Sequence, residues 1–165
     1  MTTCRVRPLA PADIPGLLTL IQALADYERL PGPDAAARER LARDALATPP
    51  RFHALVADLD GRLVGYAIWF ETYSTFLARP TLYLEDLFVL PEARGRGVGA
   101  ALFRACARLA VERGCGRLEW QVLAWNELAL RFYARFDAEP LTDWRPMRLS
   151  GDALRHAAGL PAQDA

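Results

Sequence analysis

Residues 81–99 read TLYLEDLFVLPEARGRGVG, and this stretch decides how the rest of the chain is interpreted. Its apolar and aromatic first part, Thr81–Leu90, predicts a strand. A glycine-rich turn follows at Arg94–Gly99, and apolar residues then recur at helical spacing to about Arg113. Glycines let a backbone approach a ligand closely, and the start of a helix offers unpaired N–H groups with a partial positive charge. The turn is therefore suited to bind a pyrophosphate.

Two other interpretations of this turn remain open. A glycine-rich hexapeptide is also typical of a flexible surface turn, in which Arg94 and Arg96 are simply solvated. The spacing Gly95-x-Gly97-x-x-Ala100 loosely fits a Rossmann fingerprint, which belongs in a first βαβ unit. Here the turn lies beyond mid-chain, and Leu90–Arg94 separates the strand from the glycines, so we favour the pyrophosphate site. A Walker A site is excluded because the sequence contains no GKS or GKT.

Periodicity and turn signals predict the other elements. Asp60-Gly61 between two β-type runs is a strong hairpin signal, and the helix after the glycine turn predicts a parallel crossover. The predicted strands are residues 3–7, 52–59, 62–70, 81–90, 117–123 and 144–149. The predicted helices are one from 14 that ends near 27–30, and 34–46, 97–113 and 126–136. This order predicts a mixed α/β fold with a partly antiparallel sheet covered by helices. The tail, residues 151–165, is expected to be loose or weakly helical.

Composition is typical of one globular domain spanning residues 1–165. Twenty basic residues balance twenty acidic ones, so charge gives no indication of nucleic acid or an anionic membrane as a partner. The three cysteines form no CxxC pair, which favours free thiols in a reducing compartment over disulfides or a zinc site. With no long apolar run and no signal-peptide core, we expect no membrane span and a cytoplasmic location.

The sequence Arg94-x-x-Gly97-x-Gly99, after a strand and at the start of a helix, resembles the acetyl-CoA signature of the GNAT N-acetyltransferases. Other segments resemble the diamine (spermidine/spermine) and thialysine acetyltransferase branch of that superfamily. These segments are Asp26-Tyr27-Glu28, Tyr66-Ala67, TYST at 72–75, YLEDLFV at 83–89, Trp125-Asn126 and Phe132-Tyr133. The resemblance covers roughly residues 5–149. It implies a GNAT fold, with a mixed sheet of about six to seven strands flanked by about four helices.

The resemblance also implies the functional residues. The CoA pyrophosphate is expected on Arg94, Gly95, Arg96, Gly97, Val98 and Gly99, and the pantetheine arm along Leu87, Phe88 and Val89. Asn126 and Tyr133 are expected near the cofactor, and Tyr27, Glu28, Glu85 and Asp86 near the acceptor. A homodimer is implied as well. Separately, we expect no metal. One departure is Asp137, where the family usually has glycine; Asp tolerates left-handed backbone better than most residues.

The chemistry requires a proton acceptor near the acceptor amine. An alkyl ammonium has a pKa near 10.4, so exposing the free amine at pH 7 costs roughly 4–5 kcal/mol. The resemblance implies Glu85 for this role, and its place in an apolar strand supports a function. Glu85 and Asp86 would otherwise end the strand or pair with arginines. Neighbouring strand residues face opposite ways, so the two should not act together unless a bulge intervenes.

Tyr133 is the general acid that the resemblance implies for the departing thiolate. From spacing alone, Tyr133 is three residues after Leu130 on an amphipathic helix and fits a core position. Asn126 is locally a helix N-cap, and that role is compatible with cofactor contact. Asp26 and Glu71 are further candidates for holding a cationic substrate, each with a solvated surface position as the alternative.

We therefore expect direct acetyl transfer from acetyl-CoA to a small primary amine, such as a polyamine or a thialysine-like amino acid. The alternatives are a protein or peptide N-acetyltransferase, a silent acetyl-CoA-binding regulator, and a nucleotide-binding module. The acceptor stays open at this stage, because the loops that shape its pocket, 27–50 and 70–81, are the least readable part of the sequence.

Overall fold

The computed structural model describes residues 4–162, which form five strands and five α-helices. The elements are β1 Cys4–Pro8, α1 Ile14–Glu28, α2 Ala35–Ala45, β2 His53–Leu59, β3 Arg62–Ser74, β4 Arg79–Val89, α3 Val98–Glu112, β5 Arg117–Trp120, α4 Glu127–Ala134 and α5 Gly151–Ala157. The chain divides into two compact units, which share these elements between them. Unit 1 runs to Gln121 and contains all five strands, and unit 2 begins at Val122 and contains α4 and α5.

The sheet of unit 1 follows chain order, β1-β2-β3-β4-β5. The first four strands pair antiparallel, whereas β4 and β5 pair parallel across α3. The predicted mixed sheet and parallel crossover are thus confirmed. The predicted hairpin is also confirmed, because Asp60 and Gly61 both have positive φ (52° and 83°), as a tight hairpin turn of the primed type requires.

A helix covers each face of this sheet. Leu17 and Leu20 of α1 pack against one face, where Tyr66, Ile68 and Phe88 belong to the same buried cluster. The buried side of α3 covers the other face and consists of Val98, Leu102, Phe103, Ala105, Cys106 and Ala110. Burial of this apolar area on both faces supplies the main stabilisation of the unit.

Gly65 of β3 allows three elements to come together closely. A Cβ at this position would lie 2.8 Å from the carbonyl oxygen of Phe88 and 3.3 Å from Leu102 Cδ1. A larger residue would therefore push β3 away from β4 or from α3.

The predicted last strand, Trp144–Leu149, is wrong. These residues form no strand, and Trp144, Met147 and Leu149 are exposed. A strand needs a neighbour to complete its hydrogen bonds, and unit 2 has no strand within the described residues. For the same reason β5 stops at Trp120 instead of Leu123. The sheet accordingly has five strands, not six to seven, and the described part of the chain has five helices, not four.

The ends of the chain and its helices add three smaller findings. Thr3, where the first predicted strand begins, lies outside the described residues, and β1 occupies Cys4–Pro8. Asp137 has φ 56°, so it adopts the left-handed backbone expected where the family has glycine. Among the helices of residues 4–162, none combines the length and apolar character needed to cross a membrane.

Candidate active site

A β-bulge interrupts the pairing of β3 with β4 at Glu85. Ile68 pairs with Asp86 and Trp69 with Leu84, which leaves Glu85 as the extra residue. An inserted residue breaks the alternation of side chains along a strand and redirects them. The bulge that this prediction named as its exception is therefore present, and the alternation of strand faces does not separate Glu85 from Asp86 here.

The bulge also coincides with the point where β4 separates from β5. Their parallel ladder runs from Thr81–Arg117 to Leu84–Trp120 and ends there. Beyond it, Asp86–Val89 pairs with β3 on one side only. The side of this segment that faced β5 thus presents a row of main-chain N–H and C=O groups outside any ladder of the described sheet. This is the segment in which Leu87, Phe88 and Val89 were predicted to bind pantetheine.

Asp86 is a partly buried carboxylate in an acidic environment. Burial and the neighbouring Glu85 raise the pKa of Asp86 to about 6, with a smaller contribution from Glu28. The hydroxyl of Tyr66 donates a hydrogen bond to Asp86 Oδ2 at 3.2 Å, which favours the ionised form and opposes that rise. Burial also raises the pKa of Glu28, the last residue of α1.

None of the ion pairs among residues 4–162 includes Glu28, Glu85 or Asp86. Glu85 and Glu28 raise the pKa of Asp86, and within the described residues no basic side chain pairs with any of the three carboxylates. The alternative that these residues pair with arginines does not hold in this structure.

Arg94 holds the end of β4 in place. Its Nε donates to the carbonyl oxygen of Val89 at 2.9 Å. The guanidinium carbon lies 4.9 Å from the ring centroid of Tyr27 and 5.7 Å from that of Phe88. Arg94 thus connects β4, the turn and the end of α1 through one hydrogen bond and two cation–π contacts. Tyr27, predicted on the acceptor side, lies directly before Glu28 and against this arginine.

The glycine turn has the backbone that a phosphate cradle needs. Gly95 and Gly97 have φ of 75° and 80°, and a Cβ at either position would meet no atom within 4 Å. Gly97 is the N-cap of α3, Val98 is buried beneath it, and Arg96 is exposed. Left-handed glycines at the start of a 15-residue helix are the backbone arrangement in which main-chain N–H groups can bind an anion.

Asn126 and Tyr133 belong to unit 2. Asn126 Oδ1 accepts a hydrogen bond from Ala129 N at 3.1 Å, which confirms its local role as the N-cap of α4. Tyr133 is partly buried on that helix, and its ring lies edge-on to Phe132 with centroids 5.0 Å apart. Unit 1 contains the other predicted site residues, namely Tyr27, Glu28, Glu85, Asp86, Leu87, Phe88, Val89 and Arg94–Gly99.

Two further candidates for holding a cationic substrate have partners within the chain. Glu71 forms an ion pair with Arg113, and Asp26 accepts a hydrogen bond from Gln22 Nε2 at 2.9 Å.

Tyr66 is a relevant residue to which the sequence prediction gave no role. It is fully buried and hydrogen-bonded to Asp86. The available signal was a phenol within an otherwise apolar strand, since a buried Tyr hydroxyl normally has a hydrogen-bond partner. Among the described residues, no cluster of three or more His, Cys, Asp or Glu side chains is arranged to hold a metal.

Solved structures show the same fold. An integron cassette protein from V. cholerae superposes with a TM-score of 0.80 at 23% identity, covering 94% of this chain and 97% of that chain. Aminoglycoside N-acetyltransferase AAC(6')-Iy in complex with CoA superposes with a TM-score of 0.77 at 20% identity, covering 90% and 96%. At this level of identity the likeness establishes the fold alone.

Sequence relatives go further. Thialysine N-epsilon-acetyltransferase of Bos taurus is 34% identical over 170 residues, which cover 96% of this chain and 99% of that protein. L-ornithine N5-acetyltransferase of Arabidopsis thaliana is 41% identical over 93 residues, covering 56% of this chain and 41% of that protein. The Acetyltransferase (GNAT) family model matches residues 17–138. By this match and the near full-length relatives, the chain belongs to the GNAT family of acetyltransferases.

Proposed function

We propose that this protein transfers the acetyl group of acetyl-CoA to a primary amine of a small cationic molecule. One observation carries the proposal: β4 leaves the sheet's parallel ladder at Glu85, directly before a glycine turn that opens α3. A strand segment that pairs on one side only is therefore followed along the chain by a phosphate cradle. The carboxylates Glu85 and Asp86 stand at the beginning of that series.

The residues of unit 1 fit acetyl-CoA as a co-substrate. Acetyl-CoA supplies the acetyl group in activated form, as a thioester. The main-chain N–H groups of Gly95–Gly99 bind the pyrophosphate, supported by the positive charge of Arg96 and the α3 N-terminus. The edge of Leu87, Phe88 and Val89 binds the amide groups of the pantetheine arm as an added strand would. A main-chain N–H of the same segment donates to the carbonyl oxygen where negative charge develops.

The carboxylates of unit 1 receive the acceptor. Glu28 and Asp86 attract an ammonium group, and Tyr27 borders them. Glu85 is exposed at the bulge and takes the proton from the ammonium, directly or through a water. The resulting free amine attacks the thioester without an acyl-enzyme intermediate. Tyr133 then donates its phenolic proton to the departing thiolate, since phenolate and thiolate have similar basicity. The amine nitrogen loses its second proton as the amide forms, and that proton restores the phenol directly or through water, while Glu85 releases its proton to solvent. Asn126 caps α4, which carries Tyr133, and contacts the cofactor.

The acceptor class follows from the charge of the site and from the relatives. Thialysine and ornithine appear in the names of two relatives, and both are amino acids with a side-chain amine. Such molecules, like polyamines, carry more than one cationic group, which suits three carboxylates without basic partners. We further propose that the whole chain acts as one functional domain, as a homodimer in the cytoplasm. Sedimentation of the purified protein tests the dimer.

A CoA-release assay tests the proposed function. Thialysine, lysine, ornithine, spermidine and a lysine-containing peptide are supplied in turn with acetyl-CoA. We expect turnover with small amines that rises with pH, because less free energy is then needed to form the free amine. Tyr133→Phe should lower kcat about 100-fold or more, the usual contribution of a general acid. Turnover with the peptide alone would favour a protein acetyltransferase, and no CoA release with any amine would contradict the proposal.

A further inference from the structure

Tyr66 has no role in the sequence prediction, yet it makes the one side-chain hydrogen bond described for Asp86. It lies on β3 on the same face of the sheet as Asp86, because Tyr66 pairs with Phe88 and Asp86 with Ile68. Its side chain is fully buried, so its hydroxyl has no access to bulk water. The bond to Asp86 Oδ2 at 3.2 Å therefore satisfies the phenol and fixes the carboxylate at the same time.

The charges around Asp86 make the hydrogen bond from the Tyr66 hydroxyl important for the ionisation of this carboxyl group. The charged groups acting on Asp86 are Glu85 from its own strand and Glu28 from α1, and both are acidic. No basic side chain pairs with Asp86 among residues 4–162. The Tyr66 hydroxyl thus favours the ionised form of Asp86 against burial and like charge.

We propose that Tyr66 is a positioning residue for the acceptor: its hydroxyl keeps Asp86 ionised and oriented so that Asp86 can bind the ammonium group of the incoming amine. This inference rests on the proposed function of the same site. Its consequence is that acceptor binding is coupled to the protonation of Asp86. When Asp86 is protonated it cannot pair with an ammonium, so acceptor binding at low pH releases a proton from Asp86. Without the hydroxyl, the protonated form persists to higher pH.

Tyr66→Phe tests this role because it removes one oxygen and keeps the buried ring. One hydrogen bond to a carboxylate corresponds to a shift of about one pH unit, so the titration of Asp86 should move up by about that much. The ratio of the variant's acceptor KM to the native KM should then be about 1 at pH 9 and about 3 at pH 6.5. We expect kcat at pH 9 to change less than about twofold, since Tyr66 does not touch the reacting atoms.

Tyr73→Phe is the matched control. Tyr73 lies on the same strand but is exposed at its far end, so removing its hydroxyl should leave the KM ratio at 1 at both pH values. In an Asp86→Asn background, Tyr66→Phe should have no further pH-dependent effect on KM, because no proton remains to be lost. A purely structural role of Tyr66 would instead lower kcat or raise KM by the same factor at every pH.

Two readouts separate failure of this inference from failure of the proposed function. Thialysine and spermidine are the acceptors, and the Asp86 carboxyl carbon is titrated by NMR in the native protein and in Tyr66→Phe. A native protein that acetylates neither amine would overturn the proposed function. Native turnover combined with a flat KM ratio, or with an unshifted Asp86 titration in the variant, would overturn the role of Tyr66.

Discussion

The two halves of β4 differ in how they pair. Thr81–Leu84 pairs with β3 on one side and with β5 on the other, and Thr81, Leu82 and Leu84 are almost completely buried. Asp86–Val89 pairs with β3 alone. One inserted residue, Glu85, separates these halves. The first half stabilises the sheet, and the second has one edge outside any ladder of the described sheet, where we propose that the cofactor binds.

The largest expected effect tests the chemistry assigned to the unpaired half. Glu85→Gln keeps the size of the side chain but cannot accept a proton, so kcat with the best amine should fall about 100- to 10,000-fold at pH 7. The loss should shrink as pH rises, because the amine then arrives without its proton. Glu71→Gln, a strand carboxylate held by Arg113, is the control and should keep kcat near the native value. Equal kcat in the two variants would remove Glu85 from catalysis.

A smaller effect concerns stability. The pKa of Asp86 is raised from 3.8 to about 6, so the folded protein holds this proton more tightly than the unfolded chain does. The contribution of Asp86 to stability is therefore fully present below the unfolded value and is lost as pH rises through about 6. Asp86→Asn removes the buried charge and should raise the free energy of unfolding at pH 7.5 by about 1–3 kcal/mol, while weakening acceptor binding.

Asp13→Asn should change the free energy of unfolding in the opposite direction. Urea titrations of both variants and the native protein measure this free energy. The hydrogen bond from Arg7 lowers the pKa of Asp13, so its ionised form stabilises the fold above the unfolded pKa and this contribution is lost at lower pH. This variant should be less stable than the native protein at pH 7.5. A destabilised Asp86→Asn would show that Asp86 contributes to the fold rather than to binding.

The smallest expected effect is a change in cofactor affinity, and it is tested by comparing two glycines with almost the same backbone φ. Gly97 and Gly61 have φ of 80° and 83°, and neither would meet an atom within 4 Å if a Cβ were added. Alanine at either position should lower the free energy of unfolding by about 1 kcal/mol through backbone strain. Only Gly97→Ala should also raise the Kd for acetyl-CoA, by about tenfold, because the Cβ enters the phosphate cradle. Calorimetry showing equal Kd values in the two variants would place the pyrophosphate elsewhere.

Local signals in the sequence predicted most of unit 1. Two adjacent positive φ angles at Asp60-Gly61, the strand–turn–helix of 81–113 and the Asn126 cap are all decided by residues close in the chain. Glycine, asparagine and the hydrophobic period act over a few residues, which is why these elements could be predicted.

The bulge and the contacts of Arg94 and Tyr66 could not be predicted in this way. The bulge at Glu85 depends on which residues of β3 lie opposite it, and Arg94 is held by rings from α1 and β4. The apolar run Trp144–Leu149 has a strand pattern but no strand beside it in unit 2. Each of these outcomes is a relation between distant segments, which periodicity within one segment does not contain.

Amide hydrogen exchange along β4, measured by NMR with and without acetyl-CoA, tests the division of this strand most directly. Saturating acetyl-CoA should slow exchange within Glu85–Val89 and Gly95–Gly99, and leave Thr81–Leu84 unchanged because that half is already paired on both sides. Exchange that stays the same in Glu85–Val89, or that slows equally in both halves, would contradict the assignment of the unpaired half to the cofactor.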